Sequence, residues 1–439
     1  MGFSTALSGL TAAAKDLQVT GNNIANANTS GFKESRAEFA DVYAASVGGV
    51  SKTQAGAGAR VSNVAQQFNQ GNLAFTNNNL DIAISGQGFF SLAADPSASK
   101  PTLFSRAGEF KMDNEGFIVD NQSNYLMTFA ANGTTVEEGF SEGVFQPLKV
   151  NSAQGKPDPT SKILTAVNLN SEEVVPVNFP LDPADSRSYN HTSSVTIYDS
   201  QGNAHIASTY YATDRGPTSG NPPTATGTPN QWQAYFFIDG VRFNPDGSVP
   251  ATPADQESTE LIFDNSGVLT SPTDPITYGP FNSTSIDPGL NVDPLSFTFD
   301  FGETTQFSAN FSVLDLSQDG LPSGNLTGIS VDDKGVVAAQ FSNGAAEVLG
   351  KIALTRFANT QGLAKAGNTA WKESSQSGEA VSGQAGTGNF GLMQSGALES
   401  SNVDLSAQLV HLIIAQQAYQ ANAQTITTEK TIMQTILNA

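Results

Sequence analysis

No cysteine occurs in these 439 residues. That excludes disulfides, thiolate metal sites, cysteine nucleophiles and any thiol-derived cross-link between subunits. Charge is scarce as well: Asp, Glu, Lys and Arg together make up 14%, where roughly a quarter is usual. Ser, Thr, Asn, Gln and Gly fill the gap. Such a neutral polar surface suits a protein that packs against copies of itself, and equally an ordinary secreted one. The remaining charge is acidic, 41 residues against 20 basic, for a net −21. This argues against a nucleic-acid groove or an anionic membrane surface as partner; solubility alone accounts for it. No apolar run approaches the roughly 20 residues that span a bilayer. The N-terminus lacks a basic region followed by an apolar core, so no cleavable secretory signal is visible. Met1-Gly2 would suit myristoylation, but Ala6 stands where Ser or Thr is required. A chain leaving the cell would need a route that reads an uncleaved N-terminus.

Signs of catalysis are also missing. His191, His205 and His411 are the only histidines, and no two form an HxH or HExxH pair. There is no GxSxG elbow. The "SGQGFFS" stretch has Ser91 where a dinucleotide fingerprint needs its third glycine, and no helix pattern follows. "DNEGFIVDNQSN" and "DDKGVVAAQFSN" lack the ligand spacing and closing Glu of a calcium loop. No catalytic, cofactor or metal residue is nominated, and nothing points to an enzyme.

Proline is absent before Pro96 and after Pro322. Because proline breaks helix interiors and central strands, both chain ends are free to form long helices. Near the start, Phe3, Leu7, Leu10, Ala14, Leu17, Gly21 and Ile24 recur at alternating steps of four and three. That is a heptad seam, as in a helix packed lengthwise on another. Near the end, Leu398, Leu405, Leu412, Tyr419, Ile426 and Met433 fall every seven residues. Leu409, Val410, Ile413, Ile414, Ile432 and Ile436 widen that apolar face. Ser401-Asn402-Val403-Asp404 reads as a capping box, which predicts a helix from about Asn402 to Asn438. The N-terminal seam runs into "GNNIANANTSGF". Asn22, Asn23, Asn26 and Asn28 crowd a helix end there, although asparagine competes for backbone hydrogen bonds. Two uses are open: local capping before Gly31 and Phe32, with Gly31 as a left-handed stop, or hydrogen bonds between subunits.

Between the ends the texture changes. Residues 46–61 are rich in Gly, Ala and Ser and read as a flexible connection, within a linker spanning 41–70. Leu80, Ile82 and Ile84 alternate as a half-buried strand. Five segments share one plan, two short strands around a turn closed by glycine: "FKMDNEGFIV", "TIYDSQGNAHI", "RFNPDGSV", "LIFDNSGVL" and "ISVDDKGVV". They predict antiparallel β throughout the middle. Residues 213–231 read as a long polar loop. The expected class is multidomain α+β. Residues 1–40 and 391–439 form a coiled-coil-like helical domain, 71–149 and 316–390 a first β domain, and 150–315 an inserted outer β domain.

"SGLTAAAKDLQVTGNNIANANTSGFK" closely resembles the N-terminal signature of the flagellar axial proteins, the rod, hook and hook-associated subunits. "GNLAFTNNNLDIAISGQGFF" and "FSRAGEFKMDNEGFIVD" resemble their first β region. "GNFGLMQSGALESSNVDLSAQLVHLIIAQQAYQANAQTITTEKTIMQTILN" resembles their C-terminal helix. "ILTAVNLNSEEVVP" and "SSVTIYDSQGNAH" resemble the insert of the hook-type members, which the shorter rod subunits lack. The resemblance implies a homopolymer: a helical tube with the terminal helices inside and the β domains outside, acting as a flexible universal joint between motor and filament. It also implies rod and hook–filament junction proteins at the tube's ends, a hook cap during assembly and export by the flagellar type III apparatus. Neither nucleic acid nor membrane insertion is expected. Assembly residues would be Leu7, Leu10, Leu17, Asn22, Asn23, Ile24, Asn26, Gly31 and Phe32 at one end. At the other they would be Leu405, Leu409, Leu412, Tyr419, Ile426 and Met433. A lone helix of this length is marginal in water, so both ends are expected to be largely disordered in the free subunit. The alternative is a secreted β-rich adhesin or calcium-binding surface protein. Within the family it is a distal rod or hook-associated subunit.

Overall fold

The computed structural model describes residues 2–42, 56, 58–133, 135–150, 154–178, 180–213, 230–252, 255 and 257–438. The chain divides into two compact units. One comprises Met1–Ser152, Thr327–Gln340 and Ala346–Ala439; the other comprises Ala153–Leu326 and Phe341–Ala345. The terminal helices do not form a unit of their own, because they share the first unit with its β-strands.

In the first unit, helix α1 (Gly2–Ala25) packs along helix α3 (Leu405–Leu437), and both are formed in a single copy. Each helix has the other as partner. The start of α3 also differs from expectation. Asp404, not Ser401, is the N-cap, its carboxylate accepting from the Ser406 and Ala407 N–H groups at 2.9 and 3.1 Å. Asn402 is drawn away to β backbone instead. After α1, Ser35–Asp41 pairs antiparallel with Ala59–Gln66. That ladder occupies both sides of the expected linker, whose remaining Gly/Ala-rich stretch lies outside the described residues. Ile82–Ser85 is fully buried through Ile82, Ala83 and Ile84, not half-buried. The main sheet places Phe89–Ala93 between Leu103–Ser105 and Tyr125–Ala131, with Ala346–Arg356 alongside. Phe89, Phe104, Phe357, Leu363 and Trp371 pack as one cluster beside it.

The second unit contains two sheets around an aromatic core. One is antiparallel: His191–Tyr198, Ala204–Thr213, Gln231–Ile238, Thr259–Phe263 and Leu269–Ser271, with Val241–Phe243 on the third strand. The other is mixed, a departure from antiparallel pairing throughout. Lys162–Asn170 pairs parallel with Leu295–Asp300 and Thr305–Phe307, and antiparallel with Ser312–Gln318. Its partners return more than a hundred residues later, a connection long enough for parallel pairing. Its near-continuous apolar run, "ILTAVNL", matches a strand buried on both faces. Trp232, Phe236, Phe243, Tyr278, Phe281 and Phe297 fill the space between the sheets. A short helix α2 (Ser283–Ile286) links two strands. The loop expected at 213–231 lies, apart from its ends, outside the described residues.

The five glycine-closed turns adopt one geometry. Gly116, Gly202, Gly247, Gly267 and Gly335 all have φ between 78° and 85°, which glycine alone reaches without strain. In four of them the opening Asp accepts N–H groups from the second and fourth residues beyond it. These are Asp113, Asp199, Asp264 and Asp332. Their carboxylates are thus engaged by the turns that they shape.

Candidate assembly interface

The contact between α1 and α3 follows from small side chains. In α1 the buried positions Ala6, Ala13, Thr20 and Asn23 combine with Gly9 and Asp16 in steps of three and four. This is a heptad seam one residue over from the expected apolar one. Opposite it, α3 buries Gln408 and Ala415 and partly covers Leu412, Asn422 and Ile426. The helices are antiparallel: Asn23 meets Gln408, Asp16 lies 3.9 Å from His411, and a Cβ at Gly9 would run into the Asn422 amide. Glycine and alanine let the two backbones approach closely, and large residues are displaced to neighbouring faces.

The expected seam is therefore largely left uncovered. Leu7 is exposed, and Leu10, Leu17 and Ile24 are only partly buried. On α3, Leu412 and Ile426 lean toward α1, whereas Leu405, Leu409, Tyr419 and Met433 are exposed. Val410, Ile413, Ile414, Ile432, Ile436 and Leu437 extend the bare apolar surface, reaching 83% exposure at Leu437. A helix face this apolar and this bare marks an interaction site.

The asparagines divide between two tasks. Asn23 is buried and pairs with Ser35 like a strand residue, donating to its carbonyl at 2.7 Å and accepting from its N–H at 2.9 Å. It also donates to Gln408 Oε1 at 3.3 Å, and Gln408 Nε2 donates to Glu34 at 2.9 Å. Asn26 caps locally, donating to the Asn22 carbonyl at 2.9 Å. Asn22 is exposed and Phe32 partly buried. Asn23 ties α1, the following strand and α3 together within one chain.

Glu399 lies just below this tie, essentially fully buried. Its carboxylate accepts from Lys33 at 2.6 Å, Arg106 at 3.1 Å and the Gly71 N–H at 2.9 Å. Its carbonyl accepts the Gly31 N–H at 2.7 Å. Gly31 is buried at φ +68°, and a Cβ there would overlap the Arg106–Ala107 backbone. Lys33 also donates to the Asn69 carbonyl at 2.8 Å, and Arg106 to that of Gly86 at 2.8 Å. Burial holds the Lys33 ammonium and the Arg106 guanidinium below their usual values, against the pull of Glu399. Asn402 completes the junction, accepting from Glu34 N–H and donating to the Gln67 carbonyl. Four stretches distant in sequence thus converge on one buried carboxylate. Glu399, Arg106 and Gln408 were not among the residues nominated from sequence.

The chain is similar to known proteins along its length. Four family models match successive parts of the chain. They are Flagella basal body rod protein at 3–33, Flagellar hook protein FlgE/F/G D1 domain at 83–153, Flagellar basal body protein FlaE D2 domain at 168–321, and Flagellar basal body rod FlgEFG protein C-terminal at 394–439. The flagellar hook protein FlgE of Salmonella typhimurium is 38% identical over 441 residues, covering all of both chains. That of Escherichia coli K12 is 37% identical over 444 residues with the same coverage, and that of Treponema pallidum 31% identical with 96% of each chain covered. In fold, the chain is similar to the crystal structure of Helicobacter pylori flagellar hook protein FlgE2. The TM-score is 0.50 at 16% identity, covering 74% of this chain and 100% of that one.

Proposed function

The chain belongs to the flagellar hook protein family, and from that premise we propose how it acts as the structural subunit of the hook. Identical subunits join head to tail through heterologous contacts, which yield an open helical tube when the rotation does not close. Helices from neighbouring copies cover the apolar stripes of α1 and α3, completing a coiled-coil-like inner layer. The β domains form the outer layers. Their Ser-, Thr-, Asn- and Gly-rich surfaces make wetter, individually weak contacts. Firm inner packing with outer contacts that slide lets the tube bend while transmitting torque, as a universal joint does. The subunit works outside the cell, exported by the flagellar type III route with its N-terminus intact. Rod and junction proteins adjoin the tube's ends and a cap guides its growth.

The observation that carries this reading is the bare apolar stripe of α3, from Leu405 to Leu437, on a helix whose own-chain contact uses a different face. Immunogold labelling of source cells with antibody to 153–326 tests it. Gold confined to a short curved segment between cell surface and filament is expected. Gold spread over the envelope would refute the hook reading and favour an adhesin.

A further inference from the structure

Charge is divided unevenly between the two units. Residues 153–326 and 341–345 hold 20 acidic residues against 5 basic, a net −15. The rest of the chain holds 21 against 15, a net −6. The terminal helices are balanced: α1 carries Lys15 and Asp16, and α3 carries Glu429 and Lys430. Solubility is served by charge anywhere on a surface. It does not call for gathering the charge in one unit and leaving the helices almost without it.

Little of the second unit's charge is compensated from within. Arg187, 3.2 Å from Asp185, is its one Lys or Arg paired with a carboxylate among the described residues. Arg242 is buried against the rings of Tyr235 and Phe237, at 4.3 and 5.7 Å, and donates to the Glu257 carbonyl instead. Glu172, Glu303 and Asp315 are exposed, and their carboxylates have no partner among the described residues. All three stand around one strand, Lys162–Asn170. Glu172 follows it, Asp315 pairs across from Ala166, and Glu303 precedes Thr305–Phe307, which pairs with its end.

We propose that the second units of neighbouring copies repel one another through this uncompensated charge, so that the helices hold the tube together against an electrostatic spring. The proposal rests on the hook-subunit reading. Helical symmetry places the second unit of every copy in an equivalent position, so like charge faces like. Bending crowds these units on the inside of the curve, and their repulsion restores the shape. Ions in the medium set the strength of the spring: the screening length is about 30 Å at 0.01 M salt and about 8 Å at 0.15 M. Salt in this range therefore favours assembly, the reverse of a tube joined by exposed ion pairs.

Polymerisation of the purified full-length chain in sodium chloride, followed by sedimentation, provides the test. The critical concentration is expected to fall about tenfold between about 0.01 and 0.15 M salt, as screening removes the repulsion. The combined variant Glu172→Gln, Glu303→Gln, Asp315→Asn should lower it about threefold at the low-salt end and leave it unchanged at the high-salt end. A second variant has the same net charge but is altered in the first unit: Glu115→Gln, Glu373→Gln, Glu379→Gln. It should move the critical concentration much less. None of these side chains has a hydrogen-bond or ion-pair partner among the described residues, so both variants should melt with the original monomer. A critical concentration that does not fall with salt, or that both variants change alike, would overturn the repulsion and leave the hook reading standing. An unsubstituted chain that forms no tube at any salt would overturn both.

Discussion

Replacing Asn23 by alanine separates the role of this asparagine from that of its neighbours. The side chain makes two short hydrogen bonds to the backbone of Ser35 and a longer one to Gln408. Ser35 is itself buried, so Asn23→Ala orphans a buried N–H and a buried carbonyl. Each unmade bond of that kind costs about 1–3 kcal/mol, giving roughly 2–6 kcal/mol for the pair. Gln408 loses less, because it keeps Glu34. The loss falls on the docking of α1; the β core of the first unit is untouched. Hydrogen exchange of the α1 amides in the unassembled chain is the direct assay, since it reads local opening free energies. A loss of about 3 kcal/mol speeds exchange by roughly a hundredfold. Asn22→Ala serves as the control, one residue away but exposed, and should change exchange little. If the two variants exchange alike, or if Asn23→Ala disturbs only polymerisation, Asn23 does not tie the helix within the subunit.

Glu399→Gln leaves Lys33 and Arg106 buried without a counter-charge and should lower monomer stability by about 3–5 kcal/mol, read as a fall in melting temperature. Gly31→Ala combines a left-handed backbone with an overlap on Arg106–Ala107, so a loss of at least about 2 kcal/mol is expected in chemical unfolding. Ile413→Asp, on the bare stripe of α3, should leave the melt within about 0.5 kcal/mol of the original while tube formation, followed by sedimentation, is lost. Asp319 sets an acid limit on the second unit. Burial pushes its carboxyl up, but donors from Ser161 and Lys162 outweigh this and hold it below the usual value. Its folded value lies under the unfolded one, so its contribution is complete above about pH 4 and lost as pH falls further. Asp319→Asn should flatten the drop in melting temperature below that point.

Local features were the most legible in the sequence. The Asp-x-x-Gly turns could be read because side chain, backbone bonds and glycine φ all lie within five residues. The terminal helices could be read because a seven-residue period persists through them. The face that each helix turns inward could not. A period marks apolar positions, but α1 packs through Ala6, Gly9, Ala13 and Thr20, which carry little hydropathy and are chosen for close approach. The Glu399 junction was invisible for another reason: its members stand at positions 31–33, 71, 106 and 399, with no spacing to connect them. The one available signal was scarcity. Glu399 is the only charged residue between Glu379 and Asp404, whereas Lys33 and Arg106 have charged neighbours within a few residues and do not stand out. The parallel pairing of Lys162–Asn170 escaped because its partners lie beyond a whole sheet of intervening chain.

Small and polar groups inside with large apolar groups outside is the reverse of the usual arrangement for a helix on a globular body, and the requirements of a polymer subunit supply the reason. Before assembly, α1 and α3 must be held in one register on the β body. Packing their large apolar residues together would achieve this but would consume the surface needed for neighbouring copies. Hydrogen bonds at Asn23 and Asn402 and the ion pairs of Glu399 fix register by geometry instead, and they cost no apolar area. Small residues then let the helices touch without burying Leu7, Leu409 or Ile413. The two sets of contacts should therefore answer differently to perturbation. Changes at the polar junction should loosen the free subunit first and the tube only as a consequence. Changes on the apolar stripes should spare the subunit and abolish the tube.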